Sequence, residues 1–143
     1  MFKRIDHVTL VVKNMEKALK DYEMVLHIKP ENRPVGNLKD ARVTMLKTPS
    51  GARIEFIEPK AGANTRFNRF LEERGEGVFG LSIFVEGFDK EIAELKKNGV
   101  KVEEETQASI HPKPFRIGWV PPAEGHGVWL EFVDSEALPQ DIR

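Results

Sequence analysis

Residues 78–103, VFGLSIFVEGFDKEIAELKKNGVKVE, begin as an apolar run, cross a short polar turn and continue as an amphipathic stretch that ends in glycine. Leu81, Ile83 and Val85 alternate with their neighbours, which predicts a strand with one face against a core. Phe88, Ile92 and Leu95 then recur at helical spacing, and Gly99 stands where a C-terminal cap glycine belongs. The same order is written earlier in the chain, in residues 5–30, IDHVTLVVKNMEKALKDYEMVLHIKP, where Met15, Ala18, Leu19, Tyr22 and Leu26 make the helical stripe. Each copy is followed by two more strand-like runs around a turn, residues 41–59 and 115–134. Those turns carry Pro49-Ser50-Gly51 and the stretch from Pro122 to Gly127. Between the copies, residues 60–77 predict a short helix with Phe67, Phe70 and Leu71, capped by Asn64 or Thr65 and stopped by Gly75. The expectation is an α+β fold in a single domain. It consists of module one over 3–59, a linker helix within 60–77, module two over 78–134 and an irregular tail over 135–143. The two βαβββ modules are expected to pair into a curved, cup-shaped mixed sheet with the helices outside.

The bulk numbers narrow the class. The chain has 143 residues, 40% hydrophobic and 31% charged, which suits one globular domain with a proper core. A formal net charge of −1 argues against a sequence-independent nucleic-acid binder or a partner of anionic membranes. No apolar run reaches the length of a membrane span, and the N-terminus lacks the long apolar region of a signal peptide. The absence of cysteine rules out disulfides, thiolate ligands and a cysteine nucleophile. A cytoplasmic protein acting on a small molecule is the expectation.

Strand alternation sorts the remaining side chains. If Val8, Leu10 and Val12 pack under a helix, His7, Thr9 and Val11 point to the other face. By the same rule Glu55 lies opposite Ile54 and Phe56. Trp129 and Glu131 lie opposite Val128, Leu130 and Phe132, and Gly80, Ser82 and Phe84 opposite Leu81, Ile83 and Val85. The repeat pairs His7 with Gly80 and Glu55 with Glu131: 48 residues separate His7 from Glu55, and 51 separate Gly80 from Glu131. An imidazole and two carboxylates on one face suit a divalent metal or acid–base chemistry. Ordinary hydrogen-bonded side chains would give the same pattern. Arg42 and Arg116 are repeat-equivalent and suit either a ligand's anionic group or solvent. His126 reads as an exposed loop residue, and His27 as a helix-end residue.

At these residues the chain resembles a known family. IDHVTLVVKNMEKALKDYEMVL, ARIEFIEP with RFNRFLEERGEG, and HGVWLEFVD resemble the vicinal-oxygen-chelate superfamily, and most closely its methylmalonyl-CoA epimerase branch, over residues 3–134. The superfamily also includes glyoxalase I, extradiol dioxygenases and bleomycin-resistance proteins. The resemblance implies that His7, Glu55 and Glu131 fill three of four metal-ligand positions. One divalent ion (cobalt, nickel, manganese or zinc) would be held there. The fourth position is a histidine in the family, and here the pair is Phe79-Gly80. His111 is the candidate substitute ligand. The resemblance further implies a homodimer and an isomerase that moves a proton at the α-carbon of a small acyl thioester. Glu131 and Glu55 would be the catalytic groups, with Thr9, Gly80, Ser82, Phe84 and Trp129 lining a ligand cup. A glyoxalase I-like lyase and a non-catalytic, bleomycin-resistance-like binding protein are the alternatives. The missing histidine argues against dioxygenase chemistry, which needs both opening-strand histidines.

Overall fold

A computed structural model describes residues 1–27, 35–49, 51–107 and 114–139. The chain forms two compact units, His7–Phe79 and a second made of Met1–Asp6 with Gly80–Arg143. Among the described residues no helix is long and apolar enough to cross a membrane.

In the first unit β1 (Phe2–Val11) leads to α1 (Met15–Leu26), and β2 (Gly36–Asn37), β3 (Ala41–Lys47) and β4 (Arg53–Pro59) follow in the order β2-β3-β4-β1. Asn14 starts α1, its side chain accepting from the Lys17 N–H at 2.8 Å and so satisfying one of the free donors of the first turn. Leu10, Val12, Met15, Leu46 and Phe56 form the core, with Ala18, Leu19, Tyr22 and Ile54 packed on it. The Tyr22 ring meets Phe56 edge-on, with centroids 5.0 Å apart. Leu26 departs from the predicted stripe. It stands 39% exposed at the helix end, beyond the reach of that core. α2 (Arg66–Arg74) is capped by Thr65, which bonds reciprocally with Asn68, and the Gly75 N–H closes on Leu71. Its Phe67 and Phe70 rings pack against Phe79, at 4.8 and 5.4 Å.

The second unit repeats the plan. β5 (Gly77–Val85), α3 (Phe88–Lys97), β6 (Glu103–Gln107), β7 (Phe115–Val120) and β8 (Trp129–Asp134) give the order β5-β8-β7-β6. Ile83, Val85, Phe88, Ile92, Val120 and Phe132 are the core, with Leu95 and Leu130 packed against it. Gly99, at φ 82, ends α3 as its spacing predicts, and the Val100 N–H returns to the Leu95 carbonyl. Two features correct the sequence reading. The tail is ordered through Ser135–Ala137 as one helical turn, where the Ser135 hydroxyl donates to the Val85 carbonyl at 2.8 Å and Leu138 is buried. The first six residues also belong here. The Glu86 N–H bonds to the Met1 carbonyl at 3.1 Å, Lys3 pairs with Glu86 at 2.7 Å, and the Arg4 guanidinium lies over the Phe84 ring.

The two repeat-equivalent arginines are occupied. Arg42 joins Glu16 in the first turn of α1 to Glu58 at the end of β4, the latter at 3.0 Å. Arg116 joins Asp89 in the first turn of α3, at 2.6 Å, to Asp134 at the end of β8, at 3.4 Å. Each therefore ties a helix start to a strand end instead of standing ready for a ligand. Hydrogen bonds from these arginines hold the Glu16 and Asp89 carboxyls below their usual range. A lowered folded-state pKa gives stability that is present above the unfolded value and is lost as pH falls through the folded one. The urea midpoint should thus stay level from neutral pH down to about 5 and drop below about 4, where free carboxylates titrate. Replacing both arginines by methionine should flatten that drop. An equally steep acid limb in the double variant would assign it to other carboxylates.

Candidate functional site

The first unit brings its polar side chains together by register. β1 and β4 run parallel, with Thr9 opposite Glu55, and both residues turn away from the core that Leu10 and Phe56 enter. The Thr9 hydroxyl donates to Glu55 Oε2 at 2.9 Å, and His7 Nε2 stands 3.4 Å from the same oxygen. His7 is 9% exposed and Thr9 4%, while the Glu55 side chain keeps 17%. A carboxylate enclosed this far needs donors around it; Thr9 supplies one, while His7 Nε2 lies close without forming a hydrogen bond to it. The result is an imidazole–carboxylate pair with the carboxylate fixed by a hydroxyl, an arrangement able to take and return a proton.

In the second unit β5 and β8 run parallel, with Gly80 opposite Trp129 and Ser82 opposite Glu131, and β7 places Trp119 on the other side of Glu131. The two indoles meet edge-to-face at 6.1 Å, and Trp119 donates from Nε1 to Glu105 at 2.8 Å. Glu131 therefore sits among aromatic side chains. Trp119 is absent from the expected site. Strand alternation back from Pro121 was the signal for it, because Trp119 faces Glu131 in register. Phe84, expected to line a ligand cup, is 3% exposed and packs with Phe115, Val133 and Leu138 as core.

Gly80 has a reason of its own. A Cβ built there would lie 2.4 Å from the Trp129 carbonyl oxygen and 3.1 Å from the Trp129 Cβ. The glycine lets two strands approach closely, so a side chain at this position requires the backbone of β8 to move. The expected vacancy for an imidazole is filled by main chain.

The resemblance implies a divalent ion held at these residues. His7 and Glu55 offer two donors in one unit, Gly80 offers none, and among the described residues no three His, Asp or Glu side chains are grouped to hold a metal. Within the first unit that is two of the three or four protein ligands of a built site. His111 lies outside the described residues. His126 is exposed in its turn, as expected, and His27 caps α1 in a left-handed conformation.

Comparison with known proteins places this geometry. The model of the glyoxalase/bleomycin resistance protein/dioxygenase superfamily matches residues 6–115. The chain belongs to this superfamily. Among curated proteins none matches this glyoxalase-superfamily chain. Solved structures with the same fold include a hypothetical protein from Bacillus halodurans C-125, 24% identical with a TM-score of 0.75 over 92% of this chain and 93% of that one. The methylmalonyl-CoA epimerase from Mycobacterium tuberculosis is 24% identical, with a TM-score of 0.74 over 91% and 86%. A variant Streptomyces coelicolor methylmalonyl-CoA epimerase in complex with 2-nitronate-propionyl-CoA is 23% identical, with a TM-score of 0.75 over 94% and 98%. At these identities the likeness establishes the α+β fold of the superfamily.

Proposed function

We propose that this protein is a proton-transfer enzyme of the epimerase type, acting at the α-carbon of a small acyl thioester. The observation that carries the reading is the enclosed His7–Glu55 pair with Thr9 fixing the carboxylate. In the proposed step Glu55 takes the α-proton, and the C–H electron pair moves into the thioester carbonyl to give an enolate oxygen. A proton is then returned to carbon. Thr9 holds the carboxylate in one orientation, so less reorganisation is needed at the moment of transfer. Glu131 is assigned as the second proton-transfer group. These side chains alone carry the step, since among the described residues no three donors are grouped to hold a metal. The epimerases among the structural neighbours, one of them bound to a propionyl-CoA analogue, support the thioester as the substrate class. A homodimer in the cytoplasm belongs to the same proposal, and sedimentation velocity tests the dimer.

The test is incubation with methylmalonyl-CoA in deuterated water, reading deuterium at the α-carbon by mass spectrometry. Exchange well above the buffer rate is expected. A glyoxalase I-like lyase would use the same enolisation on an α-oxo thiohemiacetal, and S-lactoylglutathione formation from methylglyoxal and glutathione would reveal it. A binding protein is the second reading. The half-buried indole of Trp129 beside Glu131, backed by the buried Trp119, favours it, since an aromatic face suits a flat apolar ligand without chemistry. Saturable quenching of these tryptophans by methylmalonyl-CoA with no exchange would select that reading.

A further inference from the structure

Thr9 and Ser82 hold the same place in the two modules. Each lies on the opening strand, directly opposite a glutamate of the parallel partner strand: Thr9 opposite Glu55, Ser82 opposite Glu131. In the first module the contact is made, with the Thr9 hydroxyl donating to Glu55 at 2.9 Å. In the second it is not. Ser82 is 0% exposed, and its Oγ has no hydrogen-bond partner among the described residues. A fully buried hydroxyl without a partner is unfavourable, and native chains keep few of them. Alanine would fill the same space without that cost. Along its strand, on the same face, Ser82 is flanked by Gly80 and Phe84, which offer no polar side-chain atom. Across on β8 the same face carries Trp129, Glu131 and Val133, of which Glu131 alone has an acceptor side chain. Serine also turns freely about χ1, whereas β-branched threonine is stiff, so the first module's contact is fixed and the second module's is adjustable.

We infer that Ser82 is a positioning residue for Glu131. Its hydroxyl turns onto the Glu131 carboxylate when a ligand engages that residue, completing the contact that Thr9 and Glu55 hold permanently. The inference rests on the proton-transfer reading above. In the free protein the hydroxyl is idle, so Ser82→Ala should melt at or above the wild-type temperature. In the presence of methylmalonyl-CoA the same variant should lose roughly tenfold in kcat for deuterium exchange, the size expected for one hydrogen bond to a charged group, with KM within about twofold. Ser82→Thr, which installs the first module's residue, should recover most of the rate. A merely structural serine would shift the melting temperature and leave kcat alone. A Ser82→Ala melting temperature several degrees below wild type, or an unchanged kcat, would overturn the role. If the wild-type protein shows no exchange, the proton-transfer reading fails and the Ser82 role falls with it. If the wild type exchanges and Ser82→Ala keeps pace, only the Ser82 role falls.

Discussion

Gly80→Ala should destabilise the protein by about 3 kcal/mol, the upper end of the usual penalty for overpacking. The added methyl would sit 2.4 Å from the Trp129 carbonyl oxygen, and a backbone carbonyl in a paired strand cannot swing aside as a side-chain tip can. Gly118 provides the control. A Cβ there also comes close, 2.6 Å from Ile92, but the atom it meets is the Cδ1 tip of a flexible side chain. Gly118→Ala should therefore cost distinctly less. Gly80→His carries the same clash plus an imidazole, so it should fold poorly and should not create a metal site. Urea denaturation of the three variants reads this directly. A Gly80→Ala protein as stable as the parent would show that β8 yields easily, and a ligand at position 80 would then become feasible.

Glu55→Gln should lower α-proton exchange on methylmalonyl-CoA by about 100-fold or more, the contribution typical of a positioned general base. The amide keeps the shape of the side chain and can still accept from Thr9, so circular dichroism and the melting temperature should stay close to wild type. Thr9→Val should cost less activity, because it leaves the base in place and removes only the group that orients it. Equal rates for Glu55→Gln and wild type would remove Glu55 from the chemistry and leave Glu131 as the remaining carboxylate to test.

Much of the architecture could be read from residue order because it rests on local periodicity. Phe88, Ile92 and Leu95 enter the second core together, and His7, Thr9 and Glu55 share a face because alternation along two strands requires it. Three features resisted that reading because they depend on contacts distant in sequence. Gly80 looked like a missing side chain, when its neighbour is a carbonyl on another strand. Arg42 and Arg116 looked available, yet each is claimed by an acid in a helix start and another at a strand end. Phe84 alternates onto the expected ligand face, but the C-terminal Leu138 folds back and buries it. Pattern assigns a residue to a face, while its use depends on what the rest of the chain brings there.

The placement of Met1–Asp6 with the second unit bears on how the protein assembles during synthesis. The first unit is a continuous segment, His7–Phe79, and every residue it needs has been made once position 79 has left the ribosome. The second unit takes its pieces from both ends of the chain. Residues 1–6 emerge before the rest of this unit and must wait until Phe84 and Glu86 arrive to bind them. Nascent chains fold as their domains complete, so the N-terminal module sets first and the C-terminal one closes last, around a strand that is by then anchored at His7. That anchoring shortens the loop that must be closed and lowers the entropic cost of capturing the waiting residues. Residues 1–6, made before either unit is complete, are thus among the last to find their place.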